Sequence, residues 1–299
     1  MELALKTEKL IERSIIRICL ILFVNLVCFS GLSQESVTEK EYLDLIDYLT
    51  NQLLIDSTDI FSLENRGLAY MNIGNFDAAI KDYHFLVQLD STNNKYYGLL
   101  GLSYSYLLDH PRAVKYYSQA ISYNPFYVDH YINRGVSYEM LNKYELAKMD
   151  YLKSIKIEET NQKALINLAY LYHDYLDNND ESITVWNRLL KIDPFNASYY
   201  NDRGLIFLDE NKIDHSLQDF LRAIQLDPRK AAHYYNCARA YEKLGEVESA
   251  LMYYEKAIDA DSVDSNIYFY RSKLYEKMGD SINAKIDLKK VIELEERYE

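Results

Sequence analysis

The residues with the potential for chemistry in this chain are six histidines, three cysteines and many carboxylates. None of the histidines forms the H-E-x-x-H spacing that places two zinc ligands on one helical face. The sequence also contains no glycine-rich phosphate loop and no G-x-S-x-G nucleophile elbow. No two carboxylates are set apart by their spacing as a general acid and a general base. The sequence therefore predicts no catalytic residues, no metal site and no cofactor.

Individual reactive side chains have structural interpretations. Cys19 and Cys28 lie in an apolar N-terminal stretch, which leaves Cys237 as the one thiol in the body of the chain. Cys237 replaces a leucine-type core residue of an internal repeat, and this predicts a buried, unreactive thiol. His130 and His233 recur at one position of the same repeat, where we expect packing at the surface or the rim.

Four arginine–aspartate pairs follow a regular pattern. An arginine occurs in every second unit of the repeat, and an aspartate follows it sixteen residues later. The intervening units have Leu100, Leu168 and Cys237 at the arginine position and no aspartate at the partner position. Because the two charges occur together or not at all, we expect ion pairs that hold neighbouring helices. The predicted structural pairs are Arg66 with Asp82, Arg134 with Asp150, Arg203 with Asp219, and Arg271 with Asp287.

The elements that position these residues are copies of a unit of about 34 residues. A small residue followed three residues later by an aromatic residue recurs at this spacing, as in 67–70, 101–104 and 135–138. Each unit has two stretches with apolar residues at helical spacing, separated by a turn that carries glycine or polar residues. The predicted units are 60–93, 94–127, 128–161, 162–196, 197–230, 231–264 and 265–298.

The unit resembles the tetratricopeptide repeat, TPR, and the resemblance covers residues 60–298. The large position of the first helix holds Leu63, Tyr97, Tyr131, Leu165, Tyr200, Tyr234 and Tyr268. The aromatic position of the second helix holds Tyr83, Tyr117, Tyr151, Trp186, Phe220, Tyr254 and, as a departure, Leu288. The resemblance implies an all-α fold, a right-handed α-solenoid of stacked antiparallel helix pairs, the TPR superhelix.

In this family partner peptides lie in a concave groove lined by the first helix of each pair, helix A, and the resemblance implies such a groove here. The apolar and aromatic candidates for binding a partner are Leu68, Met71, Tyr106, Ile132, Val136, Met140 and Tyr170. Asn65, Asn133, Asn167 and Asn236 share one helix-A position, where their amides would bracket a peptide backbone or bond to neighbouring turns and water. Arg239 and Lys243 are the candidates for binding a partner at the other end of the groove, where basic and acidic residues are mixed.

The formal net charge of −13 argues against nucleic acid as a partner, because its phosphates are bound by basic residues. The same charge disfavours the pentatricopeptide repeat, an RNA-binding family of similar period. We therefore predict a protein or peptide partner. The chain is interpreted as a non-enzymatic scaffold or assembly factor. The alternative is a non-catalytic subunit of an envelope enzyme or a secretion complex.

The N-terminal residues 1–33 have the pattern of a signal peptide. Basic residues precede an apolar run over 18–29, and small residues follow it at 30–33. This pattern predicts export to the periplasm or the extracellular space. An uncleaved membrane anchor over 18–33 is the alternative, and it would be the chain's one link to a membrane. A lipoprotein would use Cys28, but the valine before that cysteine is not small.

The two ends of the repeat array differ. Residues 34–59 are predicted to form a linker and a capping helix over 39–55 that covers the first unit. No separate helix is predicted after the last unit, so part of the face that carries Ile286, Leu288, Ile292 and Leu294 is expected to be open. Self-association through this last helix is therefore a hypothesis.

Overall fold

The structure, a computed structural model, describes residues 37–296. This range contains fifteen α-helices and no β-strand, which confirms the predicted all-α class. The predicted signal peptide, residues 1–33, lies outside the described residues. Within residues 37–296 no helix combines the length and the apolar character needed to cross a membrane.

The chain divides into two compact bodies, an N-terminal body up to Glu159 and a C-terminal body from Thr160. The N-terminal helices are α1 (Glu39–Ile55), α2 (Ile60–Asn72), α3 (Phe76–Leu89), α4 (Asn94–Tyr106), α5 (His110–Tyr123), α6 (Val128–Met140) and α7 (Tyr144–Ile157). The C-terminal helices are α8 (Gln162–Asp174), α9 (Asn179–Ile192), α10 (Ala197–Asp209), α11 (Ile213–Leu226), α12 (Ala231–Leu244), α13 (Val247–Ala260), α14 (Ser265–Met278) and α15 (Ser281–Glu295).

From α2 onwards the helices form pairs, in which the even-numbered helix is helix A and the odd-numbered helix is helix B. Within each body every helix packs against its neighbours in sequence, and a short turn reverses the chain inside each pair. Successive A helices also touch, as α4 touches α6 and α10 touches α12. Each body is therefore an α-solenoid of stacked helix pairs, as predicted for the fold.

The turns inside the pairs require left-handed backbone geometry. Gly74, Gly245 and Gly279 lie at these turns with φ of 75°, 84° and 81°, values that glycine adopts without a steric penalty. The corresponding turns of other pairs place Leu108 and Asn142 at φ of 59° and 57°. Asparagine tolerates this region, whereas a leucine there is strained. The turn geometry is thus kept even where glycine is absent.

The core of each body runs through successive helix pairs, and part of it lies between helix A and helix B of the same pair. The rings of Tyr83 and Phe220 on helix B are fully buried and lie against glycines of helix A. A Cβ atom added to Gly67 would lie 2.4 Å from the Tyr83 ring, and one added to Gly204 would lie 2.7 Å from the Phe220 ring. Because real Cβ atoms do not approach other atoms so closely, these two positions require glycine.

The first helix covers one end of the N-terminal body. Thr38 caps α1 through a reciprocal capping box with Glu41. Leu45 and Leu49 of α1 are buried in a cluster with Ala69 of α2. The bounds of α1 coincide with the predicted capping helix, and these contacts explain why it stays folded against the first pair.

The last described helix leaves apolar side chains uncovered. Leu294 of α15 is buried, whereas Ile286 and Ile292 are 59% and 56% exposed. Leu288 is half-buried. The partly open face predicted from the sequence is therefore present on α15, and self-association through it stays a prediction.

Candidate functional site

The four predicted arginine–aspartate contacts are all present as bidentate ion pairs between helix A and helix B. In each pair Nε and Nη2 of the arginine donate to the two carboxylate oxygens of the aspartate, at 2.7 to 2.9 Å. The aspartate side chains are almost fully buried, and the arginines are about one-fifth exposed. The pairs are Arg66–Asp82, Arg134–Asp150, Arg203–Asp219 and Arg271–Asp287.

Three of the arginines also hold the preceding helix. The Nη1 group of Arg66 donates to Thr50 of α1, and that of Arg134 donates to Ser118 of α5. Arg203 reaches Asn187 of α9 in the same way. Each of these partners lies sixteen residues before its arginine, so the spacing repeats on both sides of the guanidinium. Arg134 and Arg203 therefore join consecutive helix pairs, and Arg66 joins the first pair to α1. This is a structural role.

Aromatic rings also lie close to the arginines of these pairs. The guanidinium of Arg134 lies 5.7 Å and 5.8 Å from the ring centres of Tyr131 and Tyr138. The hydrogen-bonded Asp82 carboxylate raises the pKa of Arg66.

The histidines predicted at the surface or rim are buried instead. The side chains of His130 and His233 are 5% and 1% exposed, because they lie between successive A helices. His130 Nε2 is 3.0 Å from Oδ1 of Asn94, and His233 Nδ1 is 3.2 Å from Oδ1 of Asn201. Burial lowers the pKa of His130 to about 4.

The remaining reactive groups are the thiol of Cys237 and the side chains that could hold a metal ion. Cys237 is fully buried, and burial raises its pKa to about 12, which agrees with the predicted unreactive thiol. In the described part of the chain no group of three histidine, cysteine or acidic side chains is placed to hold a metal ion.

The helix-A side of the N-terminal body presents apolar side chains. Val136 and Met140 lie one turn apart on α6 and are 40% and 59% exposed. Tyr106, at the end of α4, is 58% exposed and stacks on Phe76 at 5.2 Å. These residues form an exposed apolar surface, and their role in binding a partner stays a prediction.

Other predicted residues of this side are partly or fully covered. Leu68 and Met71 are half-buried against the core between α2 and α4, and Ser103 Oγ donates to the sulfur of Met71. Ile132 is only 4% exposed, so its prediction as a partner-binding residue is wrong. It lies on the side of α6 that is packed inside the helix stack.

The four asparagines at one helix-A position have different environments. Asn65 donates its amide to the Phe61 carbonyl one turn earlier, at 2.7 Å, which is one of the alternatives considered for these residues. Asn133 and Asn167 are half-buried. Asn236 is buried, so its prediction as a peptide-binding residue is wrong. The reason is that α12 packs directly on α10, where Asn201 accepts the Asn236 amide at 2.9 Å.

The helix-A side of the C-terminal body is polar and aromatic. Tyr170 is 41% exposed and contacts Trp186 edge-on at 5.4 Å, while its hydroxyl donates to Asp202 at 2.8 Å. The guanidinium of Arg239 lies 5.7 Å from the ring centre of Tyr235. Lys243 donates to the carbonyl oxygen of Leu208 at 2.8 Å, and this contact ties it to the end of α10.

The sequence reasoning did not identify Asp202 and Asn201. Asp202 occupies the helix-A position at which other units carry Asn65, Asn133 and Asn167, so the register of the repeat was a signal that could have identified it. Nothing in the sequence indicated that Asn201 would accept hydrogen bonds from two side chains of α12, because that contact depends on how two A helices pack.

Family models described as tetratricopeptide repeat match residues 62–93, 99–162, 232–264 and 265–298, and a TPR-repeat model matches 204–245. Together these matches cover more than half of the chain. The chain is a tetratricopeptide repeat protein. Residues 163–203 lie outside the matched segments, so the count of seven repeats stays a prediction.

Among curated proteins, this TPR protein is 26% identical over 229 residues to human tetratricopeptide repeat protein 6, with 62% of the chain and 43% of the relative covered. It is also 36% identical over 63 residues to a UDP-N-acetylglucosamine–peptide N-acetylglucosaminyltransferase of Giardia intestinalis, covering 21% of the chain and 4% of the relative. The chain spans less than half the length of these curated relatives.

Solved structures support the fold. A tetratricopeptide repeat protein from Parabacteroides merdae has a TM-score of 0.56 and 19% identity, with 85% of this chain and 93% of that chain covered. YrrB, described as a TPR protein with an unusual peptide-binding site, has a TM-score of 0.53 and 19% identity, with 64% of this chain and 97% of that chain covered. At these identities the likeness shows the fold alone.

Proposed function

We propose that this TPR protein is an exported, non-enzymatic scaffold or assembly factor that binds segments of partner proteins on the helix-A surfaces of its two bodies. TPR folds in general mediate contacts between proteins, and the α-solenoid of each body supplies the rigid support that such a surface needs. The proposal of export rests on the signal-like pattern of residues 1–33.

The observation that carries the proposal is the exposed apolar surface on α6. Val136 and Met140 are neither needed to complete the core nor covered by another helix within residues 37–296. Methionine adapts its shape to different apolar partners, and aromatic side chains such as Tyr106 are enriched at protein interfaces. A partner segment that covers these side chains would remove apolar surface from water at about 25 cal/mol per Å².

Site-specific photo-cross-linking tests the proposal. A benzoyl-phenylalanine at Met140, on helix A, is compared with the same residue at Met149, on helix B. The two side chains are matched controls because they are 59% and 63% exposed in the same body. We expect protein adducts from position 140 and few from position 149. Mass spectrometry of the adducts distinguishes a scaffold from a non-catalytic subunit of an enzyme complex. Equal adducts from both positions, or none from position 140, would contradict the proposal.

A further inference from the structure

The half-buried carboxylate of Asp202 differs from the other shielded aspartates of the structure. Asp82, Asp150, Asp219 and Asp287 each face an arginine in a bidentate pair. Among the described residues no lysine or arginine lies within 4.0 Å of the Asp202 carboxylate. Lys230 acts on it only from a longer distance. A negative charge that is partly removed from water therefore has no lysine or arginine in direct contact with it.

Hydrogen bonds from neutral groups hold this carboxylate in place. The Tyr170 hydroxyl donates to Oδ2 at 2.8 Å, and the Asn201 amide donates to Oδ1 at 3.2 Å. Burial raises the pKa of Asp202, and these two hydrogen bonds offset that effect only in part. The carboxylate keeps lone pairs for a further donor, since each oxygen accepts more than one hydrogen bond.

The supporting residues fix the orientation of the site before any partner arrives. Oδ1 of Asn201 accepts the Asn236 amide and also contacts Nδ1 of His233, so its own amide nitrogen faces Asp202. Tyr170 is held edge-on by Trp186. The network joins α8, α10 and α12, the first three A helices of the C-terminal body. A site built on rigid helices in this way loses little conformational entropy when it binds.

The exposed side of the site has the chemistry of a cation receptor. Tyr170 is 41% exposed, and its hydroxyl contacts the carboxylate of Asp202. An aromatic ring and a carboxylate together attract a guanidinium or an ammonium group through cation–π and charge-assisted contacts. The net charge of −13 also favours the approach of a basic group.

Arg239 lies on α12, the next A helix after the one that carries Asp202. Its positive charge limits how many basic residues a partner segment can carry. No carboxylate of the described residues lies within 4.0 Å of its guanidinium, which lies over the Tyr235 ring. A run of basic residues along this surface would be repelled by Arg239, whereas an acidic residue of the partner would pair with it. The charges therefore favour a segment that carries one basic residue and one acidic residue.

We infer that the C-terminal body binds a partner segment by a lysine or arginine side chain, which pairs with Asp202 on the Tyr170 ring. This inference rests on the proposed function and specifies the partner at one site. The segment is an extended stretch of protein with a single basic residue, and its acidic residue faces Arg239.

The test uses the full chain and an immobilised library of decapeptides, each with one arginine and one glutamate at varied spacing. A second library has citrulline, which is neutral and similar in shape, in place of arginine. We expect arginine peptides to bind at least about tenfold more tightly than their citrulline counterparts. Asp202→Asn is expected to abolish that preference. Asp214→Asn is the matched control, because Asp214 is exposed on helix B of the same body.

Tyr170→Phe provides a second variant that keeps the ring and removes only the hydroxyl. It is expected to retain part of the preference for arginine. Equal binding of arginine and citrulline peptides, or a preference that survives Asp202→Asn, would overturn the inference. So would a failure of the folded full chain to bind any library peptide. The proposed function would stand in each case if Met140 still cross-links a partner, so the two failures are distinguishable.

Discussion

The two bodies share one internal scaffold and differ in the surfaces that they present on helix A. Arg134–Asp150 in the N-terminal body and Arg203–Asp219 in the C-terminal body have nearly the same geometry. At one helix-A position, however, the N-terminal body carries Val136, whereas the C-terminal body carries Arg239. Buried positions therefore fix the stacking, while a few solvent-facing positions change the chemistry of the surface that each body presents.

The largest expected effect tests whether the scaffold is the same in both bodies. Arg134→Leu and Arg203→Leu should each destabilise the protein by about 3 kcal/mol, because each leaves a buried aspartate without its counter-ion. Urea unfolding followed by circular dichroism measures the loss. Similar losses are expected for the two variants, since the ion pairs are equally shielded.

A double variant sharpens this test. Arg134→Leu combined with Asp150→Val copies Leu168 and Val185 of the α8–α9 pair, where both charges are absent. It should recover most of the stability that Arg134→Leu loses, because no buried charge remains unpaired. A single-variant loss below about 1 kcal/mol, or a double variant less stable than the single one, would count against the ion pairs as the basis of stacking.

The second effect concerns acid stability in the N-terminal body. His130 is buried, and its pKa of about 4 lies below the ordinary value of 6.5. As the pH falls from 6.5 towards 4, the unfolded chain gains a proton at His130 and the folded chain does not, so the folded state loses stability. Between pH 7 and pH 4.5 the free energy of unfolding of the unaltered chain should fall by about 2 kcal/mol more than that of the His130→Gln variant.

Urea unfolding at the two pH values checks this expectation. His215→Gln, which alters an exposed histidine of the C-terminal body, serves as the control substitution. If His130→Gln and the unaltered chain lose stability equally on acidification, the buried histidine is not a source of acid lability.

The smallest effects separate the two helix-A surfaces. Met140→Ala should change the free energy of unfolding by less than about 0.5 kcal/mol, because the side chain is largely exposed. Tyr170→Ala should cost about 1–2 kcal/mol, since it removes an aromatic contact and a hydrogen bond. Thermal and urea unfolding of both variants would show whether only the helix-A surface of the C-terminal body contributes to stability. Equal costs would remove this difference between the bodies.

The sequence predicted the helix pairs and the ion pairs because both depend on residues that recur at fixed spacing. It did not predict the burial of Ile132 or Asn236, since this depends on how closely successive A helices approach each other. The side chains of the preceding helix that accept a hydrogen bond from these arginines could also have been predicted from the sequence. Thr50 and Ser118 precede Arg66 and Arg134 by the same sixteen residues that separate each arginine from its aspartate.

The asparagine position shows the limit of this reasoning. One spacing places Asn65 and Asn236 in equivalent helical positions, yet Asn65 bonds to its own helix and Asn236 bonds to the preceding A helix, α10. The choice depends on the neighbouring residue across the interface, and a pattern within one unit does not contain that information. The contacts between successive A helices are for this reason the least predictable part of the site.

The most direct test of the account is the affinity of a cross-linked partner segment for two charge variants of the same body. Met140→Glu places a charge on the helix-A surface, and Met149→Glu places the same charge on helix B at similar exposure. Isothermal titration calorimetry should show binding weakened by about tenfold or more in Met140→Glu and unchanged in Met149→Glu. Equal affinity of both variants and the unaltered chain would contradict the claim that this protein binds its partners on helix A.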